Sequence, residues 1–307
     1  MSSLIREHAI MLAVDETSAP QGAHALPNKI ALWMPHLRLK HVGLAFAIAW
    51  VAFIAFAAIL APLLPLKAPY AMDFAAAEQG PTLSHLLGAD VDGRDILSRV
   101  IFGARTSLTV ALIGPLFGLV LGSIFGILTA YYGGAFRAIV LGLMDGILAF
   151  PGFVLALALT TFLGASVVNV AIALGILSIP AFARVARANA LPLVGREFVL
   201  AARTAGASDF YILTREILPN MGAQLLTYAL TVMSVMIVIE GGLSFLGVGV
   251  PPPIPSWGNM IADGREALER APHIAAIPAF ALFLTVLSVN VIGDHLRRRV
   301  EVREGAL

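Results

Sequence analysis

The side chains of this chain that could do chemistry are few, and their spacing argues against most of it. There is no cysteine, which excludes disulfides, thiolate metal ligands and cysteine nucleophiles. His85 and His273 stand apart from each other and from the other five histidines, without metal-ligand spacing, so no metal site is expected. No Gly-x-x-x-x-Gly-Lys-Ser/Thr phosphate loop occurs, which argues against a nucleotide-hydrolysing chain. Asp145, Glu240 and Asp294 border long apolar stretches. Each is expected near a stretch end, in reach of water or a basic neighbour: Arg137 for Asp145, and Arg297 and Arg298 for Asp294. No paired acids, Ser/His set or histidine cluster sits deep in an apolar run, so no catalytic residue is assigned.

Charge does gather in two places. Between Ala183 and Asn220, Glu197 to Ala205 reads as one short helix, and Gly206 can supply the left-handed turn that ends it. Ser208 or Asp209 can cap a second helix, Phe210 to Ile217, which Pro219 closes. Phe198, Ala202, Phe210, Leu213 and Ile217 would form its apolar face, with Arg203, Asp209, Arg215 and Glu216 interspersed. Such a pair suits docking into a groove on a partner, or equally packing as a connector against its own bundle. The second place is Asp90 to Arg105, where Asp90, Asp92, Arg94, Asp95, Arg99 and Arg105 alternate in sign. A solvated amphipathic helix lying on the bundle, or a gate or docking surface, fits this pattern. Further on, Pro251, Pro252, Pro253 and Pro255 stiffen the approach to Trp257, a candidate headgroup anchor that also falls within a possible gate.

These segments need elements to hold them, and composition says which. Of 307 residues, 59% are hydrophobic and 13% charged. A soluble domain carries about twice that charge, so a soluble enzyme, a disordered chain and a nucleic-acid binder are excluded. The apolar excess faces lipid. Charge-free runs of 26 residues (after Lys40), 31 (after Arg105), 38 (after Asp145), 23 (after Glu216) and 23 (after Arg270) mark the crossings. The run of 38 would extend about 57 Å as one helix, nearly twice the hydrocarbon thickness. The polar turn Gly164 to Asn169 splits it, with the first half beginning near Ala138. The expected fold is all-α and polytopic, with six transmembrane helices. Most Lys and Arg residues of the connections fall on the side of the termini, which places both termini in the cytoplasm. Gly114, Gly118, Gly122 and Gly126 line one face of the second span, where another helix backbone can approach closely.

One ordered set of motifs goes further. Ala201-Ala202, Gly206 and Leu218-Pro219 keep the spacing of the loop Glu-Ala-Ala, three residues, Gly, nine residues, Ile-x-Leu-Pro. Around it stand Leu87-Gly88-Ala89-Asp90, Gly93 to Arg99, Gly103 to Leu108, Tyr131-Tyr132-Gly133-Gly134 and Ala149-Phe150-Pro151. Leu243 to Gly249, Pro255 to Met260 and Asn290 to Asp294 complete the series. Over about residues 35–300 the chain resembles the second permease subunit of bacterial ABC importers for dipeptides, oligopeptides and nickel. The family's loop glutamate and isoleucine fall at Leu200 and Glu216, with Glu197 one turn before and Ile217 one place along.

The resemblance implies a type I importer fold in a bacterial inner membrane. It implies a second homologous permease, two cytoplasmic ATPase subunits that bind ATP and Mg, and an external substrate-binding protein. This chain would bind no cofactor and no nucleic acid. Glu197, Ala201, Ala202, Arg203, Gly206, Ala207, Asp209, Leu218 and Pro219 would form the coupling loop. The cargo would be peptide, with nickel, glutathione or another peptide-like solute as alternatives and a gradient-driven carrier as a further one. The expected organisation is a cytoplasmic arm at 1–40, a first span at 41–66 and an outer loop with an amphipathic helix at 67–104. A five-helix transport domain follows at 105–294, including the coupling loop at 183–220 and an outer loop at 248–271. A cytoplasmic tail at 295–307 ends the chain.

Overall fold

The computed structural model describes residues 36–304; the amino-terminal arm lies outside the described residues apart from its last few positions. Long helices dominate, because backbone polar groups in hydrocarbon must be satisfied within their own segment. α1 is His36–Leu60 and α2 is Ile96–Tyr131. α3, Gly134–Leu148, and α4, Gly152–Leu163, meet at 90° across a short break. α5 is Val167–Val194, and α6 is the short Glu197–Thr204. α7 runs Asp209–Phe245 without interruption, widening to a π-helical turn at Ile212–Ile217. α8, Trp257–Asp263, and α9, His273–Glu304, follow.

The centre of the fold is the seam between α2 and α5. A methyl group added at Gly122 would stand 2.6 Å from both the Ile179 carbonyl oxygen and Phe182 Cβ. One at Gly126 would stand 2.6 Å from Ala186 Cβ, and one at Gly118 would collide with Ser178. At Gly114 the nearest atoms, the Ala171 carbonyl and Leu174 Cβ, are 3.2 Å away. The partner positions advance along α5 in the same direction as the glycines along α2, so the two helices are parallel. The chain must therefore recross between Tyr131 and Val167. Only the bent pair α3–α4 lies there, and it counts as one broken crossing. With the five unbroken apolar helices the total among the described residues is six.

Several boundaries differ from those expected. α2 begins at Ile96 and α5 persists to Val194, because a charge-free run marks hydrocarbon thickness rather than helix length. At 36 residues α2 is about 54 Å long. Of the outer loop expected at 67–104, residues 67–95 hold a single 3₁₀ turn, Phe74–Ala76, and the chain from Ile96 is helical as the first turns of α2 rather than as a separate helix. The carboxy-terminal segment is helical to Glu304. Asp145 pairs with Arg184 on α5 at 2.7 Å rather than with Arg137.

Gly122→Val should push α2 and α5 apart and cost about 1–3 kcal/mol, the usual cost of overpacking. Gly142→Ala on α3, where nothing lies within 4 Å, should be neutral. Thermal unfolding of both purified variants in detergent checks the contrast.

Candidate functional site

At the inner end of the seam, α6 closes with a backbone motif that only a left-handed residue completes. Gly206 has φ +83°. Its N–H donates to the Arg203 carbonyl, and the Ala207 N–H reaches the Ala202 carbonyl. Ser208 then caps α7, its hydroxyl accepting from the Tyr211 N–H at 3.3 Å. Glu197 in the first turn and Arg203 in the last complement the dipole of α6.

The second short helix of the expected pair does not exist as a separate unit. It is the first part of α7, and Pro219 does not close it. The π turn explains why: the Leu218 N–H bonds back five residues to the Leu213 carbonyl, which widens the backbone just before the proline. The apolar faces also differ from expectation. Val199, Ile212, Ile217 and Met221 are fully buried against Ile127, Ala186 and Ala190. Phe198 and Phe210 point outward instead, 39% and 76% exposed, beside Leu200 at 47%. Ala201, Arg203 and Asp209 are also exposed, whereas Ala202 and Ala207 pack against the buried cluster. Leu218 and Pro219 lie at the surface.

Two residues that sequence reasoning left without a role fix this surface to the seam. The Tyr131 and Tyr132 hydroxyls donate to the two oxygens of Asp209, at 2.6 and 3.1 Å. Arg203 lies over the Tyr131 ring, 5.1 Å from its centre. The bond to Asp209 raises the pKa of the Tyr132 phenol. The signal was present as a Tyr-Tyr pair before Gly133-Gly134, whose φ values of +62° and +59° turn the chain. Beside α6 opens a cleft of about 830 Å³, lined by Asn189, Arg196, Glu197, Phe198, Asn220 and Gln224 among others.

The outer end is an ion network rather than a solvated helix. Asp90 accepts from Arg94 Nε at 2.7 Å and lies 3.2 Å from Arg99 Nε. Asp263 of α8 meets Arg94 at 3.2 Å and Arg99 at 3.6 Å. Asp90, Arg94, Asp95 and Arg99 are all buried. Burial holds Asp263 above the usual aspartate range despite both arginines. Asp95 caps α2 through the Ser98 N–H at 2.9 Å and bonds His85 Nδ1 at 3.0 Å. A strap outside the network joins Glu78 to Arg270 at 2.7 and 3.0 Å, which holds the Glu78 carboxyl below its ordinary range.

Trp257 is no headgroup anchor: it is fully buried, its indole N–H donating to the Val100 carbonyl at 3.1 Å. Glu240 is likewise out of reach of water, 0% exposed between α7, α2 and α8. Its sequence position at the end of a charge-free run gave no sign of this.

Parallel glycine-packed helices, a broken crossing and a short helix between two spans define a polytopic membrane protein. Residues 94–302 match the family of binding-protein-dependent transport system inner membrane components, and the chain belongs to it. It is the permease subunit of an ABC importer in a bacterial inner membrane. The glutathione transport system permease protein GsiD of Pectobacterium atrosepticum is 39% identical over 265 residues, covering 86% of this chain and 88% of that one. GsiD of an Escherichia coli strain is 39% identical over 260 residues, covering 85% and 86%. In fold, the chain is similar to an inward-facing MetNI methionine ABC transporter structure. That match has a TM-score of 0.54 and 19% identity, covering 66% of this chain and 96% of that one.

Asp90→Ala should leave two buried guanidiniums short of a counter-charge and cost about 3–5 kcal/mol. Asp90→Leu combined with Arg99→Met should recover part of the loss. Unfolding midpoints in detergent check both.

Proposed function

We propose that this chain, paired with a second permease, forms the path for peptides or a peptide-like solute such as glutathione, and that α6 with the start of α7 takes the push of partner ATPases. The chain itself binds no nucleotide; ATP and Mg belong to those partners, and an external binding protein delivers the cargo. The observation that carries the reading is the surface of α6. Phe198, Leu200 and Phe210 leave apolar area in water at a point where Asp209 and two tyrosines hold the backbone. Apolar area presented on a rigid helix is what docking into a partner groove requires. The lack of a phosphate loop supports the division of labour, and the glutathione relatives support the cargo class.

Mechanically, the force enters at α6 and passes in two directions. Through Gly206 and Ser208 it reaches α7, and through Asp209 it reaches the inner end of α2. ATP-driven closure of the partners tilts these helices together and alternates access to the path. Glu197, Ala201, Ala202, Arg203, Gly206, Ala207, Asp209, Leu218 and Pro219 make up the coupling segment.

Gly206→Pro removes the N–H given to Arg203 and forbids the positive φ. Uptake of labelled glutathione and dipeptides should fall by about ten-fold or more, as a lost turn of this kind in a transmission element implies. Phe198→Asp should release the ATPase subunits in a detergent pull-down. Normal uptake with ATPases still bound in Gly206→Pro would overturn the coupling role. Uptake that survives ATP depletion while the proton gradient is kept would overturn the ATP-driven reading.

A further inference from the structure

Glu240 is a buried carboxylate with no ion-pair partner among the described residues. Its surroundings are three serines from three parts of the chain. Ser244, one turn along α7, donates its hydroxyl to Glu240 Oε1 at 2.8 Å. Ser107 of α2 and Ser256 before α8 stand beside the same carboxyl group, whose Oε2 is buried with no hydrogen-bond partner in this conformation. Each hydroxyl also accepts one backbone N–H from the outer loop. Ser244 takes that of Val250 at 3.2 Å, Ser107 that of Trp257 at 3.3 Å, and Ser256 that of Asn259 at 3.2 Å.

A hydroxyl has one proton to give and lone pairs to receive. Ser244 spends its proton on Glu240 and keeps its lone pairs for the Val250 amide, so one complete relay runs from loop backbone to the acid. Ser107 and Ser256, each already holding a loop amide, stand beside its unpartnered Oε2. The contacts around them leave no slack. A methyl group on Gly258 would stand 2.8 Å from Ser244 Cβ and from Gly241 Cα. Loop, α2 and α7 thus meet at Glu240, and α7 continues unbroken from there to Asp209.

We propose that Glu240 is the positioning residue that fixes the outer loop 248–263 to α7, so that displacement of the inner coupling segment reaches the outer face through one rigid helix. This rests on the importer reading and adds where its outer half is driven. α7 spans 37 residues, about 55 Å at the helical rise, enough to join the two faces without an intermediate. The loop it holds carries Asp263, the acid that meets Arg94 and Arg99. The outer network is therefore moved with the loop.

The cysteine-free chain allows a direct test. Val250→Cys places a buried thiol at the end of one relay, and Ala190→Cys places a buried control in the inner cluster. In membranes, a maleimide that crosses the bilayer should label position 250 about ten-fold faster once Glu240→Leu is added, the order expected from losing a buried acceptor. Position 190 should not change. Should Glu240→Leu fail to fold, Ser107→Ala in the same background should raise labelling at 250 in the same direction. In the transporter assembled with its partner subunits, vanadate trapping should alter labelling at 250 when Glu240 is present, and leave it unaltered in Glu240→Leu although the ATPases remain bound. Equal labelling at 250 with and without Glu240, or an equal response to vanadate, overturns the proposal. Failure of the unsubstituted chain to bind any ATPase subunit would instead overturn the importer reading beneath it.

Discussion

The close approach of α2 to α5 is the constraint on which the rest depends. Lipid tails are as apolar as leucine, so helices in a bilayer are not driven together by the hydrophobic effect; they adhere where their surfaces fit. Here the fit is built from Gly114, Gly118, Gly122 and Gly126 against Ala171, Ser178, Phe182 and Ala186. Because α2 carries no side chain at these positions, its backbone lies against the backbone and Cβ atoms of α5 over about three turns, and neither helix can rotate without a clash. That seam supplies a wall with an inner end and an outer end. Both ends carry polar structure that a looser pair of helices could not hold in register.

At the inner end the wall decides which residues of α6 and α7 face inward. Val199, Ile212 and Ile217 fill the space beside Ile127 and Ala186, and Asp209 is drawn to the two tyrosines that terminate α2. At the outer end, Val100, Gly103 and Ser107 of α2 present a carbonyl, a gap and a hydroxyl to the loop that carries Trp257. One helix, α7, touches both ends. Long buried ion pairs are an expensive way to stabilise a protein, yet Asp90, Arg94, Arg99 and Asp263 place one where α2 emerges. Its function is better understood as alignment: charges that are costly apart force the two outer segments into a single arrangement.

The parts of this that could be read from the sequence are those set by local composition. Charge-free runs gave the crossings and Gly206 gave the turn, because each depends on neighbours within a few positions. Register over short distances was harder. A two-turn helix such as α6 contains too few residues for periodicity to fix its phase, so Phe198, Ala202 and Ile217 read as one face although Phe198 is exposed and Val199 is the residue buried beside Ile217. Pro219 carried a strong local signal for termination, which a π turn one residue earlier removed. Least legible were sites assembled across the chain. Nothing near Glu240 announces Ser107 or Ser256, and an acid at the edge of an apolar run looks the same whether water or three serines surround it. Trp257 after four prolines looks like an interfacial anchor for the same reason.

The distribution of tight and loose packing separates the parts that transmit motion from the part that can yield. Gly118, Gly122 and Gly126 in α2, with Gly258 and Gly264, have atoms pressed against them and cannot accept even a methyl group without displacement. Gly142, Gly146 and Gly152 in the bent pair have nothing within 4 Å. Those positions lie on either side of the break at Ala149–Pro151, where two helices meet at 90°. A transporter needs both kinds of element, since a molecule rigid throughout cannot alternate and one loose throughout cannot pass force. α2, α5 and α7 form the rigid set, tied by glycine contacts, the Asp209 clamp and the serines around Glu240. The broken crossing is joined to them through Val140 and Met144 against Ile179 and Ala183, and through Ala156 in the cluster of Val170, Ala171 and Leu174. Around the bend this chain by itself leaves room beside its glycines, whereas along the seam it leaves none.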